Sequence, residues 1–202
     1  MKKTYLIKSF DSEKETDWSV VPVAKIGSYG WQSAEKFEAQ AQLVLIKGSK
    51  FICRMVCFQA DPWANCDENG GRIWLDSVME LFISFDGKSY LNVEMNSRGD
   101  KLEEFGPSRR DRRKLGGITT VSAEKRSDSW QLELVLPVSG IQSLYPDLDA
   151  GLLKKGFELA LNFYKTGLNP ETGLSHYGMW NPVESEKPDF HRPDQFGSGI
   201  IA

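Results

Sequence analysis

The stretch Val78-Met79-Glu80-Leu81-Phe82-Ile83-Ser84-Phe85, then Asp86-Gly87, then Ser89-Tyr90-Leu91-Asn92-Val93-Glu94-Met95-Asn96-Ser97 decides how this chain folds. Two alternating runs flank an Asp-Gly pair, a strong short-range signal for a β-hairpin. A strand sends successive side chains to opposite faces. Met79, Leu81 and Ile83 therefore share an apolar core face with Leu91, Val93 and Met95. The other face carries Glu80, Phe82 and Ser84 on the first strand, and Tyr90, Asn92, Glu94 and Asn96 on the second. A two-residue Asp86-Gly87 loop would set Leu81 beside Asn92. A three-residue loop Phe85-Asp86-Gly87, with Gly87 left-handed, removes that conflict. This register predicts Glu80 opposite Asn92 and Phe82 opposite Tyr90.

The same periodicity continues on both sides. Ala39 to Ile46 alternates at its start and turns through Lys47-Gly48-Ser49-Lys50 into Phe51 to Phe58, a further hairpin. Trp130 to Leu136 alternates cleanly until Pro137, and Phe157 to Tyr164 does the same. Helical candidates are short, Val138 to Leu144 and Asp149 to Lys155. Many strands without βαβ alternation predict an all-β fold, an antiparallel β-sandwich of jelly-roll or immunoglobulin-like type. Leu81, Ile83, Leu91, Val93, Leu132, Leu134, Leu159 and Leu161 are expected to face inward. No repeat or composition break divides the 202 residues, so residues 1–202 read as one domain.

Composition narrows the function. Lys plus Arg number 25 against 28 Asp plus Glu, a net charge of -3, which argues against a nucleic-acid partner. No apolar run approaches the ~20 residues of a membrane span. The apolar run Tyr5-Leu6-Ile7 is shorter than a signal-peptide core of ~7–15 residues. The expectation is a cytoplasmic chain, or a secreted one if a leader has been removed. Cys53 and Cys57 sit too far apart along one strand for a disulfide and read as buried hydrophobes. Zinc spacing is absent. The basic stretch Ser108-Arg109-Arg110-Asp111-Arg112-Arg113-Lys114 reads as a solvated loop, in which Arg110 is expected to be dispensable.

The polar face of the central hairpin is unusual because Asn has poor strand propensity. Asn162 and Tyr164 repeat the pattern on the strand from Phe157. Fixed carboxylates and amides beside aromatic rings suit a sugar. Carboxylates accept from hydroxyls, amides donate and accept, and ring faces cover the C–H face of a pyranose. Trp74 and Trp180 lie in turn-rich segments that could supply such platforms.

Four segments in order carry a family resemblance. They are Trp74 to Ile83, Tyr90 to Asn96, Asn162-Phe163-Tyr164, and the ending Asp189-Phe190-His191-Arg192-Pro193-Asp194-Gln195-Phe196-Gly197. From about Trp18 to the C-terminus the chain resembles carbohydrate-binding module family 9, in its stand-alone bacterial, family 9-like form. The resemblance implies a β-sandwich that binds a mono- or oligosaccharide between two aromatic platforms, with a strand glutamate gripping hydroxyls. By position, Trp74 matches one platform, Phe190 the second, where Trp is usual, and Glu80 the strand glutamate. Asn92 stands where sugar-binding members carry an arginine. The expected ligand-binding set is Trp74, Glu80, Tyr90, Asn92, Glu94, Asn96, Asn162, Tyr164, Trp180, Phe190 and His191. No cofactor is required. The family can carry structural calcium, for which Asp61, Asp67 and Glu68 are candidate ligands after the Phe58 strand.

Two other functions compete with non-catalytic binding. A glycoside hydrolase, or an accessory domain of one, could use Glu80 and Glu94, whose diagonal placement is compatible with a catalytic carboxylate pair. A haem or redox module would need His176 or His191 as axial ligands, though both read as loop residues. No hydrolase elbow, metalloprotease helix, Walker loop or dinucleotide fingerprint occurs.

Overall fold

The central hairpin forms, and it sits in the middle of the molecule. The structure is a computed structural model that describes residues 2–66 and 71–202. In chain order the elements are β1 (Thr4–Phe10), β2 (Ala24–Ile26), β3 (Ser28–Tyr29), β4 (Glu38–Ile46), β5 (Lys50–Phe58), β6 (Val78–Ser84), β7 (Tyr90–Asn96) and β8 (Lys101–Ser108). There follow β9 (Asp111–Lys114), β10 (Thr120–Lys125), β11 (Trp130–Pro137), α1 (Val138–Leu144), β12 (Glu158–Leu168), β13 (Ser175–Met179) and β14 (Gly197–Ile201). The Asp149–Lys155 candidate yields only a 3-10 turn over Ala150–Leu152, capped by Asp149, whose Oδ1 accepts from Gly151 N–H at 2.8 Å. Among the described residues no helix is long and apolar enough to cross a membrane.

The strands form one curled, mixed sheet. Order β14-β12-β6-β7-β8-β9 makes one layer and β10-β11-β5-β4 the other. β1 joins them, pairing Thr4–Ile7 with Ser198–Ile201 and Lys8–Phe10 with Val44–Ile46. Both of those pairings are parallel, which corrects the all-antiparallel expectation. Parallel neighbours need a long connection rather than a hairpin turn. Here the β1–β14 pair joins the two ends of the chain, so no local sequence signal announces it.

Between the layers lies the main core. All eight residues expected to face inward belong to it, as do Cys53 and Cys57 as free thiols. The second face of β6 and β7 is buried too, since every residue of both strands is buried. Phe82, Tyr90 and Tyr164 on that face pack with Met179, Val183, Phe190 and Phe196 from the chain's last third. Asn162 fastens this cover. Its amide donates to the Asn181 carbonyl at 2.8 Å and accepts from the Asn181 N–H at 3.0 Å.

The hairpin register differs from expectation by two residues. Glu80 stands opposite Glu94, and Phe82 opposite Asn92. The loop is longer than foreseen, running from Phe85 to Ser89. Asp86 Oδ1 accepts from the N–H groups of Lys88 (2.8 Å) and Ser89 (2.9 Å), and Ser84 Oγ accepts from Gly87 N–H at 3.1 Å. These side-chain bonds satisfy a wide turn that a tight Asp-Gly hairpin would not need. Gly87 does adopt the left-handed conformation, with φ +67.

Candidate functional site

Directly facing residues of an antiparallel pair have Cβ atoms about 4.5–5.5 Å apart. Glu80 on β6 and Glu94 on β7 are therefore neighbours on one floor. Both are buried, with relative exposures of 3% and 6%. Glu80 makes no hydrogen bond or ion pair among the described residues. Glu94 Oε1 accepts from Asn92 Nδ2 at 3.2 Å, while its Oε2 is buried without a partner. Burial and the facing Glu94 carboxylate hold Glu80 well above the ordinary carboxylate range. Burial pushes Glu94 up to about 7, against the pull of Arg112. Two close acids in a dry site resist ionising together, so burial and mutual repulsion favour their protonated forms.

Arg112 comes from the stretch read as a solvated loop, and that expectation needs correction. β8 and β9 form a hairpin with a register shift between Phe105 and Ser108. Within the bulge, a Cβ added at Gly106 would lie 2.8 Å from Arg112 Cα, so only glycine admits this crossing. The bend turns Arg112 inward. Its Nη1 donates to Asn92 Oδ1 at 2.6 Å and pairs with Glu104 Oε2 at 2.7 Å. A continuous chain of Glu104, Arg112, Asn92 and Glu94 fixes one side of the floor.

Above this floor opens a cleft of about 880 Å³, within the ~300–1,000 Å³ common for small-molecule sites. Glu80, Glu94, Glu104 and Arg112 line it with Trp74, Tyr177, Phe190 and His191. Arg109, Arg110 and Asp189 add charge to the wall. Arg110, expected to be dispensable, is thus a cleft residue.

Trp74 lies in the 3-10 turn Ile73–Leu75 and is 47% exposed. The turn is anchored by Asp76, whose Oδ2 accepts from Asn96 Nδ2 at 2.9 Å and whose Oδ1 accepts from Asn65 N–H at 2.7 Å. Phe190 stacks on Tyr164 with ring centroids 4.0 Å apart and planes 14° apart. Trp31 braces it at 5.5 Å. Tyr90 Oη and His191 Nδ1 share a hydrogen bond of 2.9 Å. Burial, with Arg112 and Arg109 nearby, lowers the His191 pKa to about 3, so the ring is neutral.

Of the expected set, the cleft brings together Trp74, Glu80, Glu94, Phe190 and His191. Tyr90, Asn92, Asn96, Asn162 and Tyr164 lie beneath or beside it, fully buried; Tyr90 bonds His191, Asn92 bonds Glu94 and Tyr164 stacks on Phe190. Trp180 is placed elsewhere, packing edge-on against Tyr5 and Phe163 in the main core. Sequence reasoning missed Arg112, Glu104, Tyr177 and Asp189. For Arg112 the signal was Gly106-Pro107, which interrupts an otherwise regular strand.

The haem alternative loses His176 as a loop ligand, while His191 has its Nδ1 engaged by Tyr90. His176 is a fully buried strand residue, not a loop residue, and its Nε2 contacts Lys165 Nζ at 2.6 Å. Lys165 Nζ also donates to Ser77 Oγ at 2.8 Å, and burial lowers its pKa to about 8. For calcium, Asp67 and Glu68 lie outside the described residues, and Asp61 is exposed. Among the described residues no group of three His, Cys, Asp or Glu could hold a metal.

Known proteins share this fold. The sequence matches the family model described as Carbohydrate-binding family 9 over residues 13–200. A Bacteroides uniformis protein, classed by inference as carbohydrate-binding, superposes with a TM-score of 0.81 at 22% identity, covering 100% of both chains. A family 9 module from Caldicellulosiruptor kristjanssonii in complex with cellotriose superposes with a TM-score of 0.67 at 11% identity, over 98% of this chain and 93% of that one. The same organism's module in complex with glucose gives 0.65 at 11%, over 99% and 96%. Comparison with curated protein sequences gives no match. The model match spans nearly the whole chain, and this protein belongs to carbohydrate-binding family 9.

Proposed function

We propose that the chain is a one-domain, non-catalytic sugar-binding module on a jelly-roll-like frame, and that its sugar occupies the cleft above Glu80 and Glu94. One observation carries the site: an exposed indole, Trp74, borders the same cleft whose floor holds two buried carboxylates short of hydrogen-bond donors. A pyranose offers the complement, an apolar C–H face for the ring and hydroxyl donors for the acids. Tyr177 and Phe190 supply further aromatic surface, and Arg112 adds donors at one end. Family membership and the cellotriose- and glucose-bound neighbours support a mono- or oligosaccharide as ligand.

Hydrolysis is a second reading because Glu80 and Glu94 face each other directly, as the two carboxyl groups of retaining glycosidases do at ~5–5.5 Å. A calorimetric screen of glucose, cello-oligosaccharides and xylo-oligosaccharides, with reducing-end release measured on every hit, separates the two. The binding role predicts heat of binding and no new reducing ends. Turnover abolished by Glu94→Gln would overturn it in favour of hydrolysis.

A further inference from the structure

The floor of the cleft is oversupplied with acid. Three carboxyls, Glu80, Glu94 and Glu104, lie about the Arg112 guanidinium, which already bonds Asn92 and Glu104, while Arg109, Arg110 and Asp189 stand in the cleft wall. No lysine or arginine of the described residues forms an ion pair with Glu80 or Glu94. Glu80 lines the cleft, and the buried Oε2 of Glu94 has no donor. Buried charges are ordinarily paired, and a carboxyl oxygen left without a donor costs about 1–3 kcal/mol. A hydroxyl brings one donor hydrogen, whereas an ammonium brings three and a positive charge.

We propose that the cleft selects an amino sugar, whose ammonium enters between Glu80 and Glu94 and hydrogen-bonds to both. This deepens the sugar-binding role and rests on it. A 2-amino pyranose keeps the C–H face that Trp74 can cover while placing the charge on the ring itself. An acetylated amine keeps the bulk but loses the charge and two of its three donors, so it gains nothing from the acid pair. Other groups facing the pair are Glu104 on β8, Arg112 on β9, Arg109 in the turn between them, and Tyr164 and Lys165 on β12. Three cleft arginines oppose a cation: Arg112 is engaged with Glu104 at 2.7 Å and Arg109 with Asp189 at 3.6 Å, while Arg110 stands in the wall rather than on the floor. An ammonium set between the two carboxyls favours their ionised forms, so its binding is expected to release protons.

The probes are three trimers: cellotriose, the trimer of glucosamine and the trimer of N-acetylglucosamine. Calorimetry at about pH 6.5, where an amine is charged, in two buffers of different ionisation enthalpy, reads affinity and proton release together. The expected result is tighter binding of the glucosamine trimer than of cellotriose by about tenfold or more, with proton release. In Glu80→Gln and Glu94→Gln proteins with normal melting curves, that preference should fall to about one. Cellotriose bound as tightly as the glucosamine trimer would overturn the amino-sugar assignment and leave the sugar-binding role intact. A preference that survives both glutamine variants would also overturn it. Silence with all three trimers would sink both.

Discussion

Burial alone would leave Glu94 and Glu103 alike; their partners separate them. Burial pushes Glu103 up, but hydrogen bonds from Thr119 and Lys101 outweigh it and hold the carboxyl below its ordinary range. Glu94 has one donor, Asn92, and stays high at about 7. Their linkage to pH therefore has opposite signs. A carboxyl whose folded pKa is raised contributes stability that is complete below its unfolded value, near 4.5, and lost as pH rises through 7. Glu94→Gln, which keeps the bond from Asn92, should raise the melting temperature at about pH 8, by up to about 3 kcal/mol of stability. The gain should shrink toward zero below about pH 5. Glu103→Gln should destabilise at neutral pH, and that loss should fade as acid takes the pH below about 4.5. Melting curves across pH check both, and a Glu94→Gln effect independent of pH would contradict a raised Glu94 pKa.

At the scale of elements, the β8–β9 hairpin is the part most easily tested. Its crossing depends on Gly106, where a Cβ would meet backbone rather than a movable side chain. Gly106→Ala should displace β9 and withdraw Arg112 from Asn92 while sparing the core, which β9 does not enter. Sugar affinity should fall several-fold with only a modest change in melting temperature. Unchanged affinity in a folded Gly106→Ala protein would show that Arg112 does not shape the site. The same hairpin shows where sequence reading stops. Period-two alternation revealed β6, β7, β11 and β12 and put eight core residues on the correct face, because a strand's two faces are written in consecutive positions. A bulge has no such period, and an arginine carried inward by one looks like any surface arginine. The Phe85–Ser89 loop misled for a related reason: Asp86-Gly87 permits a tight turn, but Asp86 and Ser84 instead cap a wider one. Glu80 and Glu94 consequently meet face to face instead of diagonally.

Across the whole molecule, the site is a product of long-range closure. β1 pairs with both layers, β12 carries residues of the core and of the second face, and the segment after β13 folds over the polar row. None of these relations is local, which is why a polar strand face could be recognised in the sequence but its burial could not. Aromatic residues suffer most from this gap. Trp74 and Trp180 read alike as loop tryptophans, yet one is 47% exposed beside the cleft and the other 5% exposed in the core. Their contrast supplies the most direct test of the central claim, that sugar binds at Trp74 over the Glu80–Glu94 floor. The measurement is a calorimetric titration of cellotriose into wild-type and Trp74→Ala proteins, with Trp180→Ala followed by melting alone. Loss of stacking at about 1.5 kcal/mol should weaken Trp74→Ala binding about tenfold without moving its melting temperature. Trp180→Ala should cost about 3–5 kcal/mol of stability instead. A folded Trp74→Ala protein that binds cellotriose as tightly as wild type would contradict the account.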